Sequence, residues 1–277
     1  MESNRVRLSG IRETSFGELP GSPRLRTGRM SGEGLAFAPQ FVTSNEIRAD
    51  RMVADPIKIN EQNAGPINFE LSYWPDLTLG SELLRSAFYN PWTVQPYRDN
   101  DGTADSVITA VTAASQTVTV TAVAPANGTY VVGHLVRHTG FGQAANNGKF
   151  RVSTGGSTSY ICTGSGLVDE TAPAAAARSK VVGFQGASAD ITATASGLGS
   201  TALDFTTLGL TVGQWIKIGD ADNTAFNFAT AANNGWARIT AIAATAITLD
   251  NLPAGWSTDS GTGKTIRVFY GDTIKNG

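Results

Sequence analysis

The sequence predicts a mainly β protein with one short helix, built as a β module followed by two copies of a small all-β domain. Three observations carry this. Short segments of alternating apolar and polar residues fill the first third, one stretch switches to a helical period, and the remainder repeats itself.

Gly and Pro punctuate residues 1–32 (GELPGSPRLRTGRMSGEG), so an extended arm or loop is expected there. From Gly34 the texture changes. LAFAPQFV, EIRADRMV, PIKI and PINFELSYW have strand composition. In the last, Ile67, Phe69, Leu71 and Tyr73 alternate with Asn68, Glu70 and Ser72, the pattern of a half-buried strand. Residues 75–90 (PDLTLGSELLRSAFYN) place Leu79, Leu83, Leu84 and Phe88 on one helical stripe. Asp76 stands near the start, and Asn90-Pro91 ends the helix.

After Asp101-Gly102 charge thins out and Thr, Ala, Gly and Val dominate. VGHLV (132–136) answers VGQWI (212–216), AANNGKFRV (144–152) answers AANNGWARI (231–239), and VVGF (181–184) answers IRVF (266–269). The offset drifts from 80 to 87, which places a seven-residue insertion in the loop GDADNTAFNF. VITAVTAASQTVTVTAV and RITAIAATAITLDNL read as hairpins. Each copy is expected to be an Ig-like sandwich or small barrel. The expected domains are 1–102 (arm 1–32, strands 34–73, helix 75–90), 103–186 and 187–277. Asn146, Asn147, Asn233 and Asn234 mark the outer turns of the repeats.

The bulk numbers exclude several classes. The chain has 277 residues, 16% of them charged, with a net charge of −2, so it is not a general nucleic-acid binder. Low charge fits a surface hidden against copies of the same chain, and equally a Thr/Ala/Gly-rich β protein. A single cysteine, Cys162, cannot form an internal disulfide framework or a four-cysteine zinc site, and its apolar context predicts a buried, inert thiol. MESNRVRLSG lacks the apolar segment of a signal peptide, and no apolar run reaches the ~18–20 residues of a membrane span. A soluble protein made in a cytoplasm is expected.

The short motifs point to structure rather than chemistry. GTGKT (261–265) lacks the leading Gly of a phosphate-binding loop and runs into a strand, IRVFY. GFGQAA (140–145) precedes Asn-Asn-Gly rather than a helix. His134 and His138 have the spacing of a zinc-binding helix without the adjacent Glu, and their counterparts in the second copy are Gln214 and Ile218. They are expected to be solvated or partly buried strand residues. Asp220-Ala221-Asp222-Asn223 lacks the later ligands of a calcium loop and reads as a polar turn. No nucleophile, base or carboxylate constellation is present, so no catalytic, cofactor or metal residues are assigned.

The run TSNEIRADRMVADPIKINEQNAGPINFELSYWPDLTLGSELLRSAFYN (43–90) resembles the tail tube proteins of long, non-contractile-tailed bacteriophages. The stretch from Arg7 or Arg12 through SFGELP to Pro20 resembles that family's opening. The resemblance covers residues 5–92. It implies hexameric rings whose strands form a large β-barrel and which stack into a tube, with loops or arms reaching the neighbouring ring. By the same resemblance Arg12, Glu13, Phe16, Asp55, Lys58 and Asn60 belong to such loops or arms. The implied partners are other copies of the chain, a tape measure protein in the lumen, the tail tip or baseplate and tail terminator proteins, and viral double-stranded DNA passing through without specific binding. The implied location is the virion tail, assembled in the host cytoplasm, with the repeats decorating the exterior. In the family the chain returns from such an insertion to complete the barrel. Here it stops at GDTIKNG, so the closing strands are expected from another chain, from a longer product, or from the repeats.

In TSNEIRADRMVADP, Glu46, Arg48 and Asp50 share one side of a period-2 pattern, with Arg51 on the other. A wide, water-filled barrel accommodates such a charged strand face. Residues 1–102 carry 11 Lys/Arg and 13 Asp/Glu, a balance that would not hold a polyanion. A second reading is a surface adhesion module in which Trp215, Trp236 and Trp256 stack on sugars. The competing expectation, that tryptophans are core, is strongest for Trp215.

Overall fold

The computed structural model describes residues 8–13, 15–21, 25–43, 56–70, 79–89, 99–100, 107–121 and 129–271. It is mainly β, and it divides into a first unit within residues 1–92 and a second within 93–273.

In the first unit, β1 (Leu8–Gly10) pairs antiparallel with β2 (Arg26–Gly28), so part of the predicted arm is a short ladder. β3 (Met30–Glu33) pairs with β6 (Ile67–Phe69), and β4 (Ala36–Thr43) pairs along its length with β5 (Pro56–Ala64). Helix α1 (Leu79–Phe88) lies within the predicted 75–90. Its Leu79 is buried against the β1–β2 ladder, where Gly10 leaves the space: a Cβ there would stand 2.7 Å from Leu79 Cδ1. An ion pair of 2.7 Å between Arg26 and Glu82 ties β2 to α1. Of the rest of the predicted apolar stripe, Leu84 is half-buried, whereas Leu83 is 46% and Phe88 37% exposed.

The second unit begins with β7 (Asp99–Asn100). The first repeat then supplies β8 (Ile108–Thr112), β9 (Thr117–Val120), β10 (His134–Thr139), β11 (Gly148–Arg151), β12 (Ser159–Ile161), β13 (Glu170–Thr171) and β14 (Arg178–Gln185). The second supplies β15 (Thr192–Thr194), β16 (Gly197–Gly199), β17 (Trp215–Ile218), β18 (Trp236–Ala243), β19 (Ala246–Asp250) and β20 (Arg267–Tyr270). Both predicted hairpins are present, as β8–β9 and β18–β19.

Strand order shows how far the repetition goes. The first copy has β12-β9-β8-β13 on one side and β11-β10-β14 on the other. The second has β19-β16-β15 with the Ala193–Asp259 bridge, and β18-β17-β20. The copies join where β14 pairs antiparallel with β20: Gly183 opposite Phe269, Phe184 opposite Val268. Arg137 faces Lys180 and its counterpart Lys217 faces Phe269, so Lys180 rather than Phe184 holds the position equivalent to Phe269, which corrects the expected match of VVGF with IRVF by four residues at this seam. The seam is tight, because a Cβ on Gly183 would lie 2.0 Å from the Val268 carbonyl oxygen.

Each copy has its own core. Val118, Val136, Val152, Tyr160 and Val181 centre the first; Leu198, Phe205, Ile216, Ile239 and Val268 centre the second. Phe184, carried by a strand of the first copy, packs in the second core against Phe205 at 5.6 Å between ring centroids. Tyr270 packs against both cores. Burial of shared aromatics makes the copies interdependent.

Candidate assembly surfaces

The β4–β5 ribbon is a two-stranded hairpin with apolar side chains exposed on both faces. Phe37, Phe41, Val42, Ile57 and Ile59 are between 49% and 61% exposed. Phe37 and Phe41 alternate onto one face, where Lys58 sits over the Phe37 ring at 5.3 Å; Val42 and Ile57 pair on the other. Lys58 also pairs with Glu61. A two-stranded ribbon is marginal alone in water, and open edges with apolar faces invite pairing with another chain.

A second exposed feature is the turn Ser15–Glu18, closed by the Gly17 N–H donating to Glu13 Oε2 at 2.8 Å. Gly17 has φ +82°, a conformation that favours glycine, and the turn holds Phe16 fully exposed at its tip. Nearby, β1 and α1 enclose a groove of about 480 Å³ lined by Arg12, Leu79, Leu83 and Tyr89 among others. Of the residues expected in loops or arms, Arg12 rims this groove, Glu13 and Phe16 form the turn, and Lys58 and Asn60 stand exposed on strand β5. Asp55 and the charged-strand residues Glu46, Arg48, Asp50 and Arg51 lie outside the described residues.

The four asparagines of the repeat turns act inward as well as at the surface. Asn146 donates to the Val168 carbonyl (2.9 Å) and to Glu170 (2.8 Å) and accepts the Val168 N–H; Asn233 does the same with the Ser257 backbone. Both are fully buried. Asn147 and Asn234 each accept an N–H six residues back, from Phe141 and Phe228, and donate to the same residue's carbonyl. Glu170 and Asp259 finish the two turns. Although desolvation opposes it, hydrogen bonds from the Asn146 side chain and the Gly142 and Gln143 N–H groups hold the Glu170 carboxyl below the usual range. Asp259 is likewise lowered by the Thr230 and Gly261 N–H groups.

Both histidines are buried, which corrects the expectation of solvated or partly buried residues. His134 Nδ1 accepts the Val131 N–H at 3.2 Å, and its counterpart Gln214 accepts the Thr211 N–H at 3.1 Å. The repeat conserves an acceptor there, and a neutral imidazole provides one. His138 Nδ1 lies 3.2 Å from the Asn146 carbonyl, which can only accept, so Nδ1 carries the proton and Nε2 accepts from Tyr160 Oη at 2.6 Å. Burial pushes both histidines down to about 4, against the backbone hydrogen bonds of Leu208 and Asn146. Burial also pushes the Cys162 thiol up to about 12, consistent with an inert core cysteine. Among the described residues no group of acidic, histidine or cysteine side chains could hold a metal ion.

The polar turn at 220–223 does more than its composition predicts. Asp220 is buried and accepts from Arg267 (2.9 Å) and from Lys149 (3.0 Å), while Arg267 stacks on Phe226 at 3.4 Å. The seven-residue insertion therefore supplies an inter-repeat clamp. Its sequence signal was the insertion itself; its partners are 71 and 47 residues distant.

The description "phage tail tube protein" belongs to the family model that matches residues 3–264. The chain belongs to this phage tail tube protein family. No curated protein matches it.

For a tail tube protein, the match extends well beyond the resemblance in residues 5–92: it takes in the first repeat and the second as far as residue 264. The tail tube chain is thus a structural component of a phage tail. No helix among its described residues is long and apolar enough to cross a membrane. The expectation of a core position for Trp215 is corrected: it is 37% exposed on the outer sheet face, as is Trp236 at 51%, because both point away from Ile216 and Ala237, which fill the core. Trp256 is partly buried against the second core.

Proposed function

We propose that the chain assembles as stacked hexameric rings that form the bore of a phage tail, through which the genome is ejected. One observation supports this most directly: the β4–β5 ribbon exposes apolar side chains on both faces, and burying them requires neighbouring copies. Strands added side by side close a barrel and remove the ribbon's edges. Glu46, Arg48, Asp50 and Arg51 line the lumen or the boundary between subunits. A lumen of mixed sign holds a tape measure protein during assembly and then lets duplex DNA slide. The Phe16 turn, Arg12 and Glu13, with Asp55, Lys58 and Asn60, belong to contacts between subunits or rings, and the tube ends meet the tail tip or baseplate and terminator proteins. The repeats decorate the exterior, and assembly takes place in the host cytoplasm.

Negative-stain microscopy of the purified chain tests this. Rings or tubes of uniform bore are expected, and Phe41→Lys with Ile57→Lys should abolish them while leaving the thermal transition of the repeats in place. A chain that stays monomeric at all concentrations would refute the reading.

A further inference from the structure

The outer face of the large sheet in the second unit is strongly basic. Every Lys and Arg described between residues 107 and 271 stands on it except Lys264. Register places Arg137 directly opposite Lys149 on one side and Lys180 on the other, three cations in a row across three strands. Like charges directly opposite destabilise a sheet. Asp220 and Asp222 neutralise Lys149. Arg137, Lys180 and Lys217 have no ion pair among the described residues, and Arg137 and Lys217 line an open groove of about 610 Å³ together with Val182, Phe269 and the Lys149-paired carboxylates Asp220 and Asp222.

That row ends on β7, where Asp99 stands opposite Lys180, and the aromatic surface lies on the adjoining row, in which Lys217 faces Phe269 and Phe269 faces Gly183. Trp236 stands opposite Lys217, and Trp215 opposite Arg238, so the two exposed indoles lie diagonally on the same face. From β18 to β10 the strand order is β18-β17-β20-β14-β10. Four strand spacings make that span about 19 Å.

We propose that this face binds an anionic polysaccharide, with Trp215 and Trp236 stacking on sugar rings and Lys217, Lys180 and Arg137 neutralising carboxylate or phosphodiester groups along the chain. Two features favour a glycan over duplex DNA. Duplex DNA offers phosphates but keeps its ring faces stacked inside, so it leaves the tryptophans unused. A pyranose presents an apolar C–H face to an indole while its hydroxyls stay wet.

The test titrates the full chain with four probes, following tryptophan fluorescence: alginate oligomers (carboxylate), poly(glycerol phosphate) teichoic acid (phosphodiester), neutral dextran, and a DNA duplex. Saturable quenching by alginate or teichoic acid is expected, weakening as salt rises, and the better of the two identifies the anion. Lys180→Glu with Lys217→Glu, and separately Trp236→Ala, should each weaken it about tenfold or more. These side chains are at the surface, so unchanged melting confirms the fold. Equal binding of the duplex with no effect of Trp236→Ala would replace the proposal with unspecific polyanion attraction. No binding to either anionic glycan, or binding indifferent to the charge reversal, would overturn it. Ring formation, followed in parallel by microscopy, is a separate readout.

Discussion

Lys149 Nζ lies 3.0 Å from Asp220 Oδ1, so strand β11 of the first repeat is held by the insertion loop of the second. Arg267 completes the cluster from β20, donating to Asp220, to Gln185 Oε1 at 2.7 Å and to the Lys149 carbonyl at 3.2 Å. Removing one member of a buried pair strands the other's charge. Asp220→Ala should therefore cost about 3 kcal/mol of unfolding free energy in the second unit. Asp222→Ala, whose side chain is 81% exposed, should cost under about 1 kcal/mol. Urea unfolding of both variants checks the ratio.

The seam between repeats gives a steric prediction. Gly183→Ala must place a Cβ 2.0 Å from the Val268 carbonyl oxygen, and backbone cannot yield as a side-chain tip can. A loss of about 3 kcal/mol or more is expected, with exchange protection falling first across β14 and β20. The control is Gly164→Ala: no atom lies within 4 Å of its Cβ, and only the positive φ (+72°) penalises it.

The buried histidines make stability depend on pH. Their folded values, about 4, lie below the unfolded 6.5, so between these limits the unfolded chain binds more protons. Stability is complete above pH 6.5 and is lost as pH falls toward 4, by up to about 3 kcal/mol per histidine. Asp220, with its carboxyl lowered, loses its contribution only below the ordinary carboxylate range. Denaturant melts at pH 7, 5.5 and 4.5 should show the loss, and His134→Gln, which copies the second repeat, should reduce the slope.

The repeat turns predict equal penalties at equivalent positions. Asn146→Ala and Asn233→Ala each leave buried backbone groups without partners, so each should cost about 2–3 kcal/mol. Asn223→Ala removes an exposed cap on the Ala225 N–H and should cost about 1 kcal/mol. Calorimetric melts of the three variants provide the comparison.

Local patterns were legible in the residues. The β class, the helix at Leu79–Phe88, the β8–β9 and β18–β19 hairpins and the internal repeat all rest on interactions near in sequence, where periodicity and turn chemistry speak directly. The burial of His138 was not legible, because Tyr160, Phe141 and Phe150 surround it only when β10, β11, β12 and the loop after β10 converge. Trp215 was misplaced for a related reason: a tryptophan can stand on either face of a strand, and only the register with β18 and β20 settles which.

The sequence by itself determined what repeats and what turns. The tertiary structure decided what depends on strand order: that the copies share one sheet through Gly183 and Phe269, that a seven-residue insertion becomes a buried clamp, and that scattered cations gather on one face. Strand order is set by contacts between residues far apart in the chain, whose alignment costs loop-closure entropy and is repaid only when the whole core forms.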